Sequence, residues 1–278
     1  MITYSCVVEP QPKFVYQLHV WITTLLALGG ARAGDLLVHV VDGEGAGAVR
    51  DRLAARGIAS AAVPRFGDGR YCNKLSQLGP ALRERGGRLA LCDTDLAFSG
   101  SIARWTGRGR AAAKPVDLPN PPLAMLAELY RRAGFTRLPE QIACTHAGEP
   151  TFANNCNGGL YLLEAELLEE LAPRWTRWAL WTLEQQPLLG AYVSHADQIS
   201  FGLAIWELGE PLVRLDPAVN FPTHLPLERY GAGGEPPVVL HYHDRLGPDG
   251  MLLPLGIPAV DERVRLVNEV LAAHPPPG

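Results

Sequence analysis

Apolar positions along the chain change their period in a regular way, and each change marks an element. Ile2–Val8 is a short β-rich run that stops at Glu9-Pro10. Across Lys13–Leu28 the residues Phe14, Leu18, Trp21, Ile22 and Leu25 recur at helical spacing, which predicts a core-facing helix. Leu36–Val41 is an apolar run broken only by His39, the pattern of a strand buried on both faces of a parallel sheet. Gly47–Arg56 reads as a helix closed by Gly57, Ile58–Val63 as the next strand, and Pro80–Arg85 as part of a further helix. Arg88–Cys92 is a strand running straight into Asp93-Thr94-Asp95. This alternation of strands and helices is the order of an α/β fold, a Rossmann-like sheet flanked by helices.

Between Gly100 and Pro150 the pattern loosens. Arg104–Arg110 is basic and Gly-rich, Pro115–Pro122 carries four prolines, and one helix, Leu123–Ala133, stands inside. An insertion after a ligand-binding strand end forms a lid, a substrate-binding face or a plain surface excursion. Beyond it, Gly159–Leu163 returns to strand and Glu164–Leu183 reads as a long helix broken at Pro173. Ser194–Leu208 is an amphipathic helix, Val238–Tyr242 a last strand and Asp261–Ala273 a closing helix. No repeat or linker divides the 278 residues, so the chain reads as a single domain.

With 25 Lys+Arg against 29 Asp+Glu the formal net charge is −4, which excludes a broadly basic nucleic-acid-binding surface. A hydrophobic fraction of 47% with 19% charged residues excludes a disordered chain. Cys6, Cys72, Cys92, Cys144 and Cys156 form no C-x-x-C pair and read as small buried residues of a reduced protein. The most membrane-like stretch, Phe14–Leu28, contains Gln17, His19, Thr23 and Thr24 and falls short of a span. Met1-Ile2-Thr3-Tyr4 lacks the basic start of a secretory leader, so the reading is a cytoplasmic enzyme without a membrane span.

Candidate chemistry collects where strands end, since ligands of open α/β sheets bind beyond the carboxyl ends of their strands. Asp93 and Asp95, spaced i, i+2 where a strand bends away, can turn toward one hard cation such as Mg²⁺ or Mn²⁺. His241-Tyr242-His243-Asp244 follows another apolar run, and a neutral imidazole can complete a carboxylate-rich site. Asn154-Asn155-Cys156-Asn157-Gly158-Gly159 reads as a tight turn entering a strand, with amides able to meet sugar hydroxyls. Ser194-His195-Ala196-Asp197-Gln198 is close to a capping box, with Ser194 as N-cap, and also holds Asp197 rigidly enough for chemistry. Lys74, one of three lysines, is a candidate phosphate or sugar contact in Asn73-Lys74-Leu75. Gly43-Glu44-Gly45-Ala46-Gly47-Ala48 fits a dinucleotide fingerprint, but Asp42 before it would meet the pyrophosphate as a like charge.

Five of these motifs stand in the order seen in GT-A glycosyltransferases, and the chain from about Ile2 to Tyr242 most resembles glycosyltransferase family 8, the glycogenin and galactosyltransferase group. The motifs are Asn-Lys-Leu at 73–75, Leu-Cys-Asp-Thr-Asp at 91–95, Asn-Gly-Gly-Leu at 157–160, Asp-Gln at 197–198 and Leu-His-Tyr at 240–242. The resemblance implies that Asp93, Asp95 and His241 bind Mn²⁺ or Mg²⁺. It implies that Lys74, Thr94, Asn157, Gly158 and Gly159 line the donor site, with the base near Val7, Val8 and Glu9. Asp197 would bind donor-sugar hydroxyls and Gln198 would stand beside the anomeric carbon. Residues 1–99 would then form the nucleotide-binding half and 100–278 the acceptor-binding half.

The implied reaction is transfer of a glycosyl group from a nucleotide sugar, UDP-linked, to a hydroxyl of a small-molecule or glycan acceptor, with retention of configuration. Trp105, Arg108, Arg110 and Tyr130 are expected to shape the acceptor side. The residues leave two other readings open: a metal-dependent phosphohydrolase using Asp93, Asp95, His241 and His243, and a nucleotide-sugar-binding protein without turnover. An inverting transfer with Asp197 as base also stays open.

Overall fold

The computed structural model describes residues 2–230 and 235–276. Its elements are β1 (Ile2–Val8), α1 (Pro12–Ala27), β2 (Leu36–Val41), α2 (Ala46–Ala55) and β3 (Ala59–Val63), then a 3₁₀ stretch, Tyr71–Leu78. There follow α3 (Pro80–Arg83), β4 (Arg88–Cys92), β5 (Leu96–Phe98), β6 (Ala111–Pro115), α4 (Leu123–Arg132), β7 (Gln141–Ala143), β8 (Pro150–Phe152) and β9 (Cys156–Glu164). The chain closes with α5 (Ala165–Glu184), α6 (Gln186–Leu189), α7 (Ala196–Leu208), β10 (Leu212–Arg214), β11 (Val219–Pro222), β12 (Val239–His241) and α8 (Pro258–Ala273).

The main sheet has the order β10-β6-β9-β4-β1-β2-β3. Its neighbours are parallel except where β9 runs antiparallel between β4 and β6. Because successive side chains of a strand face opposite ways, each strand feeds two cores. Tyr4, Cys6 and Val8 of β1 pack with Leu18, Trp21, Ile22 and Leu25 of α1 on one face. On the other, Leu89 and Leu91 of β4 meet Leu168, Leu171 and Trp175 of α5 and Phe201 of α7. Burying each large side chain contributes about 1.5–3 kcal/mol against exposure.

A second sheet, β11-β12-β5, is what brings the distant chain ends of the site together. β12 pairs antiparallel with β5 in a register that sets His241 opposite Leu96, and Tyr242 N–H donates to the Asp95 carbonyl at 3.1 Å. In the main sheet Cys92 stands opposite Leu160, and Asp93 N–H donates to the Gly159 carbonyl at 2.9 Å. Two β-ladders therefore hold Asp93 beside Gly159 and Asp95 beside His241.

The structure departs from the sequence reading at four places. Helix α5 runs unbroken through Pro173, because Pro173 and the residue whose carbonyl loses its partner, Glu169, both face solvent, where water replaces the bond. Part of the loose 100–150 region is a strand of the main sheet, β6, whose Ala-Ala-Ala-Lys-Pro sequence has weak β-propensity. Asn157, Gly158 and Gly159 lie within β9 itself; the turn ends before them. Ser194 does not cap α7; its hydroxyl donates to the Ala191 carbonyl, and His195 occupies the cap position. The five cysteines are free and buried, and no helix among the described residues is long and apolar enough to cross a membrane.

Candidate functional site

At the carboxyl ends of β1 and β4 lies a cavity of about 850 Å³. Its wall includes Lys74, Asp93, Thr94, Asp95, Asn157, Gly158, Gly159, Asp197, Gln198 and His241. All the sequence-predicted site residues except Val8 thus meet in one hollow. Val8 turns into the core with 1% exposure, and its neighbours Val7 and Glu9 line the cavity. Glu9 takes a hydrogen bond from Asn73 Nδ2 at 3.0 Å and an ion pair from Arg65 at 3.0 Å.

Lys74 is anchored by the packing of Cys72, Leu75 and Leu78 and reaches across the cavity floor. Its Nζ lies 2.6 Å from Asp93 Oδ1 and 3.1 Å from Asp197 Oδ2, and donates to the Gly158 carbonyl at 2.7 Å. An ammonium has three donors, and all three are engaged. Burial opposes the charge on Lys74, but Asp93 and Asp197 outweigh it and hold its pKa above the ordinary value. Burial pushes the Asp93 carboxyl up against the pull of Lys74. Gly158 leaves room for this close approach: a Cβ there would lie 2.9 Å from Asp197 Oδ2 and 3.0 Å from Lys74 Nζ, and would push the two side-chain ends apart. The start of α7 is itself pinned, since Trp175 Nε1 donates to the Asp197 carbonyl at 2.9 Å. Gln198 Nε2 donates to the Asn120 carbonyl at 3.1 Å, and Thr94 Oγ1 donates to Gln17 Oε1 at 3.1 Å.

On the opposite wall Asp95 faces two imidazoles. His241 Nε2 is 3.3 Å from Asp95 Oδ1, and His243 Nδ1 is 3.4 Å from Asp95 Oδ2. The two rings stack at 3.9 Å between centroids, and the His224 ring stands edge-on against His243 at the same separation. Burial works against the Asp95 charge, but His241 and His243 hold its carboxyl well below the usual range. Desolvation in the cavity mouth and the neighbouring His243 and His241 rings push His224 down to about 4.

A buried chain of hydrogen bonds settles which nitrogen of His241 carries its proton. Gly159 N–H, which can only donate, bonds Asn157 Oδ1 at 2.9 Å, so Asn157 must present its amide nitrogen to Asp117 Oδ2, 2.9 Å away. Asn220 Nδ2 then donates to Asn157 Oδ1 at 3.0 Å, which leaves Asn220 Oδ1 to accept from His241 Nδ1–H at 2.9 Å. A neutral His241 therefore turns its Nε2 lone pair on an Asp95 oxygen. Two acceptors face to face are reconciled by a proton or a cation between them, and this donor set suits a divalent first-row metal. The chain ends on Asp117, which pairs with the fully buried Lys114 and accepts from Thr145 Oγ1 at 2.8 Å and His146 Nδ1 at 2.9 Å.

Sequence reasoning passed over Asn220, Asp117 and His224. The lone signal was Lys114 at the end of an alanine run that folds as a buried strand, since a lysine there requires a buried anion nearby. Of the residues expected on the acceptor side, Trp105 and Tyr130 are buried in cores, Arg110 pairs with Glu164, Glu170 and Glu210, and neither these nor Arg108 lines the cavity. The inserted region contributes Val116, Asp117, Leu118 and Asn120 to the wall instead.

No protein-family model and no curated protein matches the chain in sequence. Solved structures do match its fold. The mouse xyloside xylosyltransferase 1 in its apo form aligns with a TM-score of 0.53 and 15% identity, covering 88% of this chain and 98% of that one. The galactosyltransferase LgtC in complex with donor and acceptor sugar analogues aligns with a TM-score of 0.56 and 13% identity over 100% of this chain and 98% of its own. An active-site mutant of LgtC gives 0.60 at 13% identity with the same coverage.

The chain has the GT-A glycosyltransferase fold. In GT-A terms, Asp93-Thr94-Asp95 occupies the end of β4, and β9 is the reversed strand set against it. Arg245, the basic residue nearest to His241 on its C-terminal side, does not face this GT-A cavity. Its guanidinium is spent on the Thr223 and Pro254 carbonyls at 2.9 and 2.8 Å, tying two loops together.

Proposed function

We propose that this protein is a metal-dependent glycosyltransferase that moves a sugar from a UDP-linked donor to an acceptor hydroxyl with retention of configuration. The observation that carries the reading is the convergence, in one cavity of a GT-A fold, of Asp95 and His241 on one wall with Lys74, Asp93 and Asp197 on the other. We read residues 1–99 as the nucleotide-binding half and 100–278 as the acceptor-binding half of one catalytic domain.

Asp95 and His241 would hold a divalent cation, which would supply positive charge to the departing diphosphate. Asp93 is available to a ribose hydroxyl, and Val7 and Glu9 border the space for the base. Asp197 is ion-paired with Lys74, which fixes its carboxylate in the cavity wall. It therefore binds a donor-sugar hydroxyl and holds the sugar in place, while Gln198, fixed by Asn120, stands by the reacting carbon.

Calorimetric titration with UDP, GDP and dTDP, with and without Mn²⁺, on the wild type and Asp95→Ala tests this. The expected result is Mn²⁺-dependent binding of UDP that Asp95→Ala abolishes, followed by acceptor-dependent release of UDP from a UDP-sugar. Binding of no nucleotide, or turnover of phosphate esters without an acceptor, overturns the reading.

A further inference from the structure

We infer that His243 is a metal ligand, so that the cation site of this protein is a two-imidazole, one-carboxylate site selecting Mn²⁺, Co²⁺ or Zn²⁺ over Mg²⁺. The inference rests on the metal-dependent reading above and adds to it the donor set and the metal class.

Asp95, His241 and His243 each offer one ligand atom, and the three lie within 4.8 Å of one another. Asp93 is not among these three, and its Oδ1 pairs with Lys74 Nζ at 2.6 Å, so the second group beside Asp95 and His241 is an imidazole rather than the other carboxylate of the Asp-Thr-Asp sequence. His243 does not reach the site by continuing the strand. β12 ends at His241, and His243 turns back onto Asp95 through a left-handed backbone with φ 51°. Among the described residues, the two non-glycine residues with positive φ are His243 and Asn220, at φ 118°. One faces Asp95 and the other fixes the proton of His241. Backbone strain of this kind persists where the surroundings enforce it. Here both strained residues serve the same three ligand atoms.

The ring nitrogen of His243 that points away from Asp95, Nε2, is buried without a hydrogen-bond partner. The ring is thus placed by its stacking on His241 and His224 and aimed by Nδ1, with no competing bond from Nε2. Imidazole nitrogens suit first-row transition ions, whereas Mg²⁺ favours carboxylate, carbonyl and water oxygens. One carboxylate and two imidazoles leave Mg²⁺ poorly served.

The test titrates MnCl₂, ZnCl₂ and MgCl₂ into wild type, His243→Ala and His243→Asp, each alone and with saturating UDP, following free Mn²⁺ by electron paramagnetic resonance and Zn²⁺ and Mg²⁺ by calorimetry. Removal of an outer-sphere partner weakens metal binding about 10- to 100-fold, so loss of a direct ligand is expected to cost about 100-fold or more in His243→Ala. His243→Asp, with an oxygen donor restored, is expected to regain Mn²⁺ and to gain Mg²⁺ relative to Zn²⁺; circular dichroism checks that both variants are folded. Equal affinity for Mg²⁺ and Mn²⁺ in the wild type, or unchanged metal binding in His243→Ala, overturns the inference and leaves metal-dependent UDP binding standing. Absence of metal binding with and without UDP overturns both.

Discussion

Lys74 Nζ stands 3.1 Å from Asp197 Oδ2, and this ion pair ties the 3₁₀ stretch after β3 to the first turn of α7 across the cavity. The same ammonium neutralises Asp93, so one cation balances two carboxylates that would otherwise repel. Lys74→Met leaves both carboxylates unpaired, Asp197 buried and Asp93 about a third exposed, a change that costs about 1–3 kcal/mol. The expected outcome is a loss of that size in urea unfolding, with donor turnover down about 100-fold or more. Lys74→Met with unchanged stability would show that the two carboxylates find other partners.

The pair Lys114–Asp117 is the buried anchor of the Asn157–Asn220–His241 chain. Burial pulls Lys114 below its ordinary pKa, while Lys114 and His146 hold Asp117 well below the usual carboxylate range despite its burial. Asp117→Asn is expected to cost about 3–5 kcal/mol by stranding Lys114, and Lys114→Met to cost similarly. In the double variant Lys114→Met/Asp117→Asn the loss is expected to be smaller than the two single losses added together. Chemical denaturation of the four proteins gives the coupling directly.

Asn220 accepts from His241 Nδ1–H, so its removal frees the ring to change tautomer or turn. Asn220→Gly keeps the φ of 118° accessible and deletes only the amide. We expect Mn²⁺ affinity to fall about 10- to 100-fold, the range for a partner one shell out. Nitrogen-15 shifts of histidine-labelled protein are expected to show His241 protonated on Nδ1 in the wild type and a mixture in the variant.

Gly159 has no room for a side chain. A Cβ there would lie 2.8 Å from His241 Cε1 and Nδ1 and 2.9 Å from Asn220 Oδ1. Gly159→Ala is therefore expected to destabilise the fold by about 1–3 kcal/mol and to displace His241. Weakened Mn²⁺ binding, with UDP binding weakened in step in a protein that still folds, is the expected pattern. A fully active Gly159→Ala would mean the β9 backbone yields more easily than the ladder suggests.

His39 sits in the middle of β2, where burial lowers its pKa to about 4 from an ordinary 6.5. Its Nδ1 is 3.3 Å from Ser5 Oγ, and its Nε2 is buried without a partner. The unfolded chain thus takes up this proton at a higher pH than the folded one. Stability is unaffected above about pH 6.5, falls as pH drops from there toward 4, and levels off below. A displacement of that size is worth about 3 kcal/mol. His39→Leu is expected to flatten that part of the stability–pH curve, measured by urea unfolding at half-unit steps.

How far the chain could be read from its sequence depended on the range of the interactions involved. β1 is a β-rich run, β2 and β4 are apolar but for His39 and Arg88, and α1 has a clear helical period, so local patterning was enough for them. β6 is alanine-rich and was invisible because its place is set by β9 and β10 rather than by its own propensity. The same division holds in the site. Asp93 and Asp95 were legible because strand ends attract ligands, and His241 because it closes an apolar run. Val8 and Val7 could not be told apart, since a strand buried on both faces carries no alternation to set its phase. Asn220 and Asp117 depend on ladder register, which no local pattern records, and His243, though named beside His241 in the sequence, reaches Asp95 only through a left-handed backbone.

The reversed direction of β9 has a consequence for how the protein is made. Until β9 is synthesised and slots in, β4 is the open edge of a growing parallel sheet, with unpaired amides beside its acidic end. The ribosome finishes Asp93 and Asp95 well before Gly159, Asp197 and His241 exist. The cavity is thus a late product of assembly, closed by non-local pairings that form slowly. A nascent chain stalled before β9 would expose the edge most prone to aggregate, and chaperone capture should peak there.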